Sequence, residues 1–171
     1  MKNILLLLAL LTLSSTLTFG QSATPNAPSE KKMAEHDMAQ TGFYSPGEIK
    51  WQKGPAALPA GAKAAVLEGD PTKEGPFVMR LWLPDGFSVQ PHWHPKVERI
   101  TVISGTFNLG MGEKFDKSAG REMTAGSFGF WPPEMRHFAW VKGDTILQLH
   151  GIGPWTINYV NARDDPRNKK P

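Results

Sequence analysis

The chain has 171 residues, a formal charge of +3 and no cysteine. That length suits one domain with a proper core, and the lack of cysteine excludes disulfides, thiolate metal sites and a lipid-modified N-terminal cysteine. The positive excess is too small and too scattered in sequence to give footing for a nucleic-acid-binding surface, and the basic pI mostly reflects Lys and Arg near the ends, such as Arg163, Arg167, Lys169 and Lys170.

Met1 to Gly20 reads as a secretory signal peptide. Lys2 supplies a basic start, Ile4 to Leu13 a short apolar run, and Thr18 to Gly20 small residues at the cleavage end. The apolar run is too short for a comfortable bilayer crossing, so no permanent membrane span is expected. Cleavage after Gly20 or after Ser22 leaves a periplasmic or secreted protein. No twin arginine precedes the run, which points to export of the unfolded chain. A metal site would then fill outside the cytoplasm, where affinity order favours copper and zinc. Residues 21–41 carry Pro25, Pro28, Ser29, Glu30 and Lys31 with few large apolar side chains. They read as a disordered polar linker, with a short helix over Lys32 to Ala39. His36 and Met38 fall in it and read as solvated side chains.

From residue 42 to 162 the sequence takes on a strand-and-turn rhythm, and residues 163–171 follow as a basic flexible tail. Strands are expected at Ala64–Leu67, Phe77–Leu83, Ser88–Gln90, Glu98–Ile103, Thr106–Gly110, Ser127–Trp131, His137–Val141, Thr145–His150 and Trp155–Val160. Turn chemistry lies between them: Gly69-Asp70-Pro71, Pro84-Asp85-Gly86, Ser104-Gly105 and Lys142-Gly143-Asp144. Many short strands without a long amphipathic helix predict an all-β fold, an antiparallel sandwich or small barrel.

Chemistry concentrates between Gly86 and Gly105. His92 and His94 stand two residues apart, so on an extended strand both imidazoles face one side. Glu98 has the same parity and can add a carboxylate after a turn at Pro95-Lys96. Two imidazoles and a carboxylate make a shell for a divalent transition metal. Downstream, Gly126, Pro132 and His137 punctuate a second aromatic-rich stretch.

Together the two stretches resemble the paired motifs of the cupin superfamily. Gly86, His92, His94, Glu98 and Gly105 match the first motif with its spacing, and Gly126, Pro132 and His137 match the second. The second departs at Glu134, where the family usually has glycine, and at Val141, where it often has asparagine. The resemblance implies a single-domain jelly roll, an antiparallel double-stranded β-helix. It assigns His92, His94, Glu98 and His137 to one divalent metal (zinc, copper, iron, manganese or nickel) with open coordination positions. Cupins include dioxygenases, isomerases, decarboxylases and non-catalytic members, and fold alone does not choose among them. The leading expectation is an exported metalloenzyme, dioxygenase-like, acting on a small organic molecule. The alternative is a non-catalytic module that binds or senses a small molecule or metal. The expected partner is a small-molecule ligand or substrate, with a homodimer as the one assembly considered.

Other residues carry weaker signals. Gln148 and His150 share parity opposite Leu147 and Leu149. They are candidates to support a ligand imidazole if the polar pair faces the barrel, and solvated side chains if the leucines do. Trp131, Trp140 and Trp155 are ordinary core material for strands, and Trp93 points away from the histidines that flank it. Arg80 reads as an exposed alternate position or an anchor for an anionic substrate, and Lys96 and Arg99 as solvated charges. The polar stretch Glu113–Glu122 could cover the barrel mouth.

Overall fold

The structure, a computed structural model, describes residues 41–169. The leader expected over Met1 to Gly20, the linker as far as Gln40, the helix over 32–39 and the last two residues of the tail lie outside the described residues. Among the described residues nine strands follow in order: β1 (Gln52–Lys53), β2 (Lys63–Glu68), β3 (Gly75–Leu83), β4 (Ser88–Trp93), β5 (Glu98–Met111), β6 (Gly120–Thr124), β7 (Phe128–Trp131), β8 (His137–Gly153) and β9 (Asn158–Tyr159). Every pairing among them is antiparallel.

Two strands are long enough to serve two sheets. The second part of β8, from Thr145, pairs with β3 on one side and with Arg99–Ser104 of β5 on the other. Its first part, His137–Lys142, lies between β4 and Thr106–Met111 of β5. One sheet therefore runs β1-β2-β3-β8-β5-β7, and the other β9-β4-β8-β5-β6. This is the layout of a jelly roll, and the chain has the all-β fold expected of it.

The sequence rhythm divides each long strand at a turn signal, whereas the structure bends it instead. In β5 the register shifts twice between Val102 and Thr106. Gly105 sits there at φ +79°, and a Cβ on it would overlap Thr145 and the Asp144 carbonyl. Only glycine suits that corner. The shift also changes parity: Glu98, Ile100 and Val102 are buried before it, Phe107 and Leu109 after it. At the matching corner of β8, buried Thr145 receives the Thr106 amide on its Oγ1 at 3.2 Å and donates to the Gly143 carbonyl at 3.0 Å.

Inside, Phe77, Met79, Leu81 and Leu83 of β3 meet Leu147 and Leu149 of β8 and Ile100 and Val102 of β5 in one core. This alternation is what makes β3 a half-buried strand: Val78, Arg80 and Trp82 take the other face. Two expectations need correcting. Glu113–Glu122 does not cover the mouth, because Gly120–Thr124 pairs with β5 as β6. The loop before β6 places Phe115 against Phe138 and Trp140, at ring-centroid distances of 5.0 and 5.9 Å. Those two rings belong to the face of β8 opposite His137 and Ala139. The strand expected over Trp155–Val160 shrinks to Asn158–Tyr159, and the residues after it turn back on the barrel. There Arg167 pairs with Asp165 and donates to the Ile157 carbonyl at 2.9 Å.

The Pro132–Arg136 turn joins β7 to β8. Glu134 adopts φ 64°, the left-handed conformation, and its amide donates to the His94 carbonyl at 2.8 Å. A side chain there costs about 1–2 kcal/mol that glycine avoids, which is the physical reason glycine suits this position. We expect Glu134→Gly to stabilise the protein by about 1 kcal/mol, the gain reduced by glycine's greater freedom when unfolded. The Arg136 bond to the Glu134 carbonyl is to backbone and survives the change. Chemical denaturation of both proteins measures it, and an unchanged or lowered midpoint would refute the strain.

Candidate metal centre

Four side chains converge inside the barrel. His92 lies near the end of β4, His94 just past it, Glu98 opens β5 and His137 opens β8. His92 and His137 are direct partners across the β4–β8 ladder. Strand alternation alone would not aim His92 inward, because Val89, three residues earlier, also lines the interior. A register shift between Val89 and His92 supplies the missing half-turn. One ring nitrogen from each of His92, His94 and His137 falls within 4.8 Å of the others. The Glu98 Oε2 oxygen lies 3.1 Å from His94 Nε2 and 3.7 Å from His137 Nε2. All four residues are buried.

The backbone fixes which nitrogen faces inward. Nδ1 of His92 meets the Gln90 carbonyl at 2.7 Å, that of His94 the Thr156 carbonyl at 2.7 Å, and that of His137 the Met135 carbonyl at 2.9 Å. A carbonyl only accepts, so each Nδ1 carries the proton and donates it. In the neutral ring, Nε2 is then a bare lone pair. His94 Nε2 is buried and makes no hydrogen bond, its approach to Glu98 being one of position and not of direction. A buried orphan of this kind is costly without a partner, and three lone pairs beside a carboxylate form the donor set of a divalent metal.

The charges agree with that fit. Burial, reinforced by the neighbouring imidazoles, lowers the His92 pKa to about 3. Burial also lowers that of His137, against the pull of Glu98. Both rings are therefore neutral at neutral pH, as ligands must be. Burial opposes charge on Glu98 and on His94 as well, but there the two groups hold each other. The carboxyl falls to about 2, chiefly through His94, and Glu98 raises the His94 pKa, so a metal would take the place of a proton on His94 Nε2. The site thus retains an ionised carboxylate in the barrel interior.

Two tryptophans anchor that carboxylate. Trp131 donates its indole N–H to Oε2 and Trp155 donates its own to Oε1, each at 3.0 Å. Trp155 also stacks on the His94 ring at 5.5 Å and 20°, and the Trp131 ring lies 5.3 Å from that of His137. Sequence reasoning takes both as core. Trp131 is the cross-strand partner of Glu98 in the β5–β7 ladder, a relation visible only once strand register is known.

Beyond the four polar residues and the tryptophans, the cavity of about 40 Å³ is lined by aliphatic side chains and Phe107. Leu147 and Leu149 face it, so Gln148 and His150 point the other way. Gln148 accepts from Arg80 Nε at 3.1 Å, and His150 stacks over Phe128 at 6.1 Å. The supporting place expected of them beside a ligand imidazole is filled by backbone carbonyls instead. Arg80 is accordingly outside the cavity and is no anchor within it. Lys96 pairs with Glu74 at 2.8 Å.

No family model matches the sequence, and no curated protein does. Solved structures do match. The polyketide cyclase RemF from Streptomyces resistomycificus superposes with a TM-score of 0.58 at 18% identity, over 75% of this chain and 91% of that one. An acetylacetone dioxygenase candidate from Methylibium petroleiphilum gives 0.56 at 19% identity, over 74% and 85%. An RmlC-like cupin from Ralstonia eutropha gives 0.53 at 18% identity, over 74% and 76%. This chain has the cupin fold. The cupin barrel accounts for the site's construction: β4, β5 and β8 adjoin, so their inward residues share one end of the lumen. His92, His94 and His137 could hold a metal ion there.

Proposed function

We propose that the protein is an exported metalloenzyme, one divalent transition metal being held by Nε2 of His92, His94 and His137 and by Glu98. Its substrate is a small uncharged organic molecule. The observation that carries this is the locking of all three Nδ1 atoms on backbone carbonyls, which turns three Nε2 atoms toward one point, one of them without any hydrogen bond. A first-row metal in that position supplies Lewis acidity and, as iron, manganese or copper, one-electron oxygen chemistry. The chain contributes orientation and dryness. Leu81, Leu83, Val89, Leu147 and Leu149 exclude water, and among the described residues no Lys or Arg lines the cavity to receive an anionic substrate. No described titratable side chain other than the four lines it either. Isomerisation and decarboxylation lean on a separate acid or base. Lys96 and His150 line a second pocket that touches His94 and Glu98, but neither lines this cavity, and that absence favours oxygen-dependent chemistry within it. The name of the Methylibium structure lends analogy and no more.

The same absence supports a second reading, a binding module whose metal fixes a ligand. Oxygen uptake by the full chain loaded with iron, manganese or copper separates the two, screened against β-diketones, catechols, flavonols and thiols. We expect metal-dependent consumption with an uncharged compound. Ligand-induced changes in the metal spectrum without turnover would leave the binding module, and neither response would sink both. Export is supported by Lys2 and the Ile4 to Leu13 run, and predicts a native N-terminus near Gln21 to Ala23. Edman sequencing that returned Met1 would disprove it.

A further inference from the structure

We infer that Trp131 and Trp155 are positioning residues that hold the Glu98 carboxylate to one-oxygen ligation, with Oε2 offered to the metal and Oε1 withheld. The inference rests on the metal proposed above. Each carboxylate oxygen accepts one indole N–H, and the two differ in which lies beside the imidazoles. Oε2 is the oxygen near His94 and His137, at 3.1 and 3.7 Å, whereas Oε1 accepts the Trp155 indole N–H at 3.0 Å. To chelate, the carboxylate would have to turn Oε1 toward the imidazoles and away from the Trp155 indole, so that hydrogen bond opposes it, whereas Oε2 already faces the imidazoles while keeping its bond from Trp131.

The choice of donor matters. An indole N–H gives one hydrogen bond and accepts none, and it is neutral. It therefore stabilises the buried anion without cancelling the charge a cation needs, as Lys or Arg would. Each tryptophan also steadies a histidine. Trp155 stacks on His94, whose Nδ1 is held by the carbonyl of the next residue, Thr156. Trp131 lies against His137 and donates to Oε2 at 3.0 Å, sharing the oxygen that faces the imidazoles. Trp155 is itself fixed by its amide, which donates to the Pro71 carbonyl at 2.7 Å. Carboxylate and imidazole are thus set by the same two rings.

The test has two arms on the full chain. In the metal-free protein, the indole N–H signals of the six tryptophans are recorded by nitrogen–proton NMR and assigned with Trp131→Phe and Trp155→Phe. Glu98→Gln should move both assigned signals upfield as the charged acceptor is lost. In the second arm, Co(II) is titrated into wild type and into each Phe variant, which keeps the ring and loses the donor. We expect affinity to fall about 10–100-fold, as for other partners of metal ligands. The visible spectrum of the Trp155→Phe complex should shift toward higher coordination as Oε1 is released. Indole signals indifferent to Glu98→Gln would overturn the inference, and so would Phe variants that bind Co(II) with wild-type affinity and spectrum. If wild type binds no Co(II), the metal assignment falls, and the NMR arm alone decides whether the indoles hold the carboxylate. If a Phe variant does not fold, the indole signals are assigned in wild type by triple-resonance NMR, and signals of Trp131 and Trp155 unmoved by Glu98→Gln overturn the inference.

Discussion

Zinc at a thousandfold excess over its dissociation constant should raise the stability of the protein by about 4 kcal/mol, and a chelator should remove that increment. The expectation follows from where the donors sit. His92, His94 and Glu98 lie within one short stretch, but His137 comes from a strand much further along the chain, and only the closed barrel aligns all four. The unfolded chain has no such site, so binding energy becomes folding energy. His137→Ala removes a donor whose Nδ1 is already held by Met135, and Glu98→Gln removes the only buried negative charge among the described residues. The amide of Gln would also set its own N–H against one of the two indole donors. Each variant should lose most of the metal increment, and Glu98→Gln should lower the metal-free baseline too. Thermal unfolding with and without chelator reads all of this. A wild-type melting temperature indifferent to both zinc and chelator would refute the metal.

The second large effect lies on the far face of β8. Phe138 has no exposed surface, and its ring is stacked with Trp140 at 6.1 Å and covered by Phe115 at 5.0 Å. Beneath it lies Gly110, where a Cβ would run into the Phe138 ring. Glycine on β5 thus makes the hollow the ring fills. Phe138→Ala empties that hollow, and neither strand can close on it without breaking the Gly110–Phe138 pairing. The expected cost is about 3–5 kcal/mol, with the midpoint of chemical denaturation as the measure. Because His137 and Ala139 face the opposite way, zinc affinity of the folded variant should stay at the wild-type value. A loss below about 1 kcal/mol would mean that Phe115 and Trp140 repack.

What the sequence makes legible is local. The spacing of His92 and His94 needs only an extended chain, and the turn chemistry at Pro84-Asp85-Gly86 or Lys142-Gly143-Asp144 needs only neighbours. Hence the all-β architecture and the gathering of candidate ligands can be read from the chain alone. Parity is less local. Leu147 and Leu149 could face either the lumen or solvent as far as alternation goes, and the placement of Gln148 and His150 hangs on that choice. The bulges at Val89–His92 and Val102–Thr106 reverse parity within a strand, which no period-two count can detect. The pairing of Trp131 with Glu98 joins residues 33 apart through register. β6 is hidden because Gly120–Thr124, with two charges and a glycine, has the composition of a loop.

The length of β5 and β8 bears on how the molecule forms. With 14 and 17 residues, each runs through both sheets, so neither sheet can be finished while the other is missing. Most of the pairing between them is distant in sequence, from Arg99 with His150 to Met111 with His137. Such a barrel gains little until several long loops have closed, which makes for slow, all-or-none assembly. His137 reaches the other ligands only as that closure completes. A metal ion bound there would therefore arrive too late to guide the chain and would act as a latch on the finished barrel. It would lengthen the lifetime of the native state while leaving the speed of folding alone.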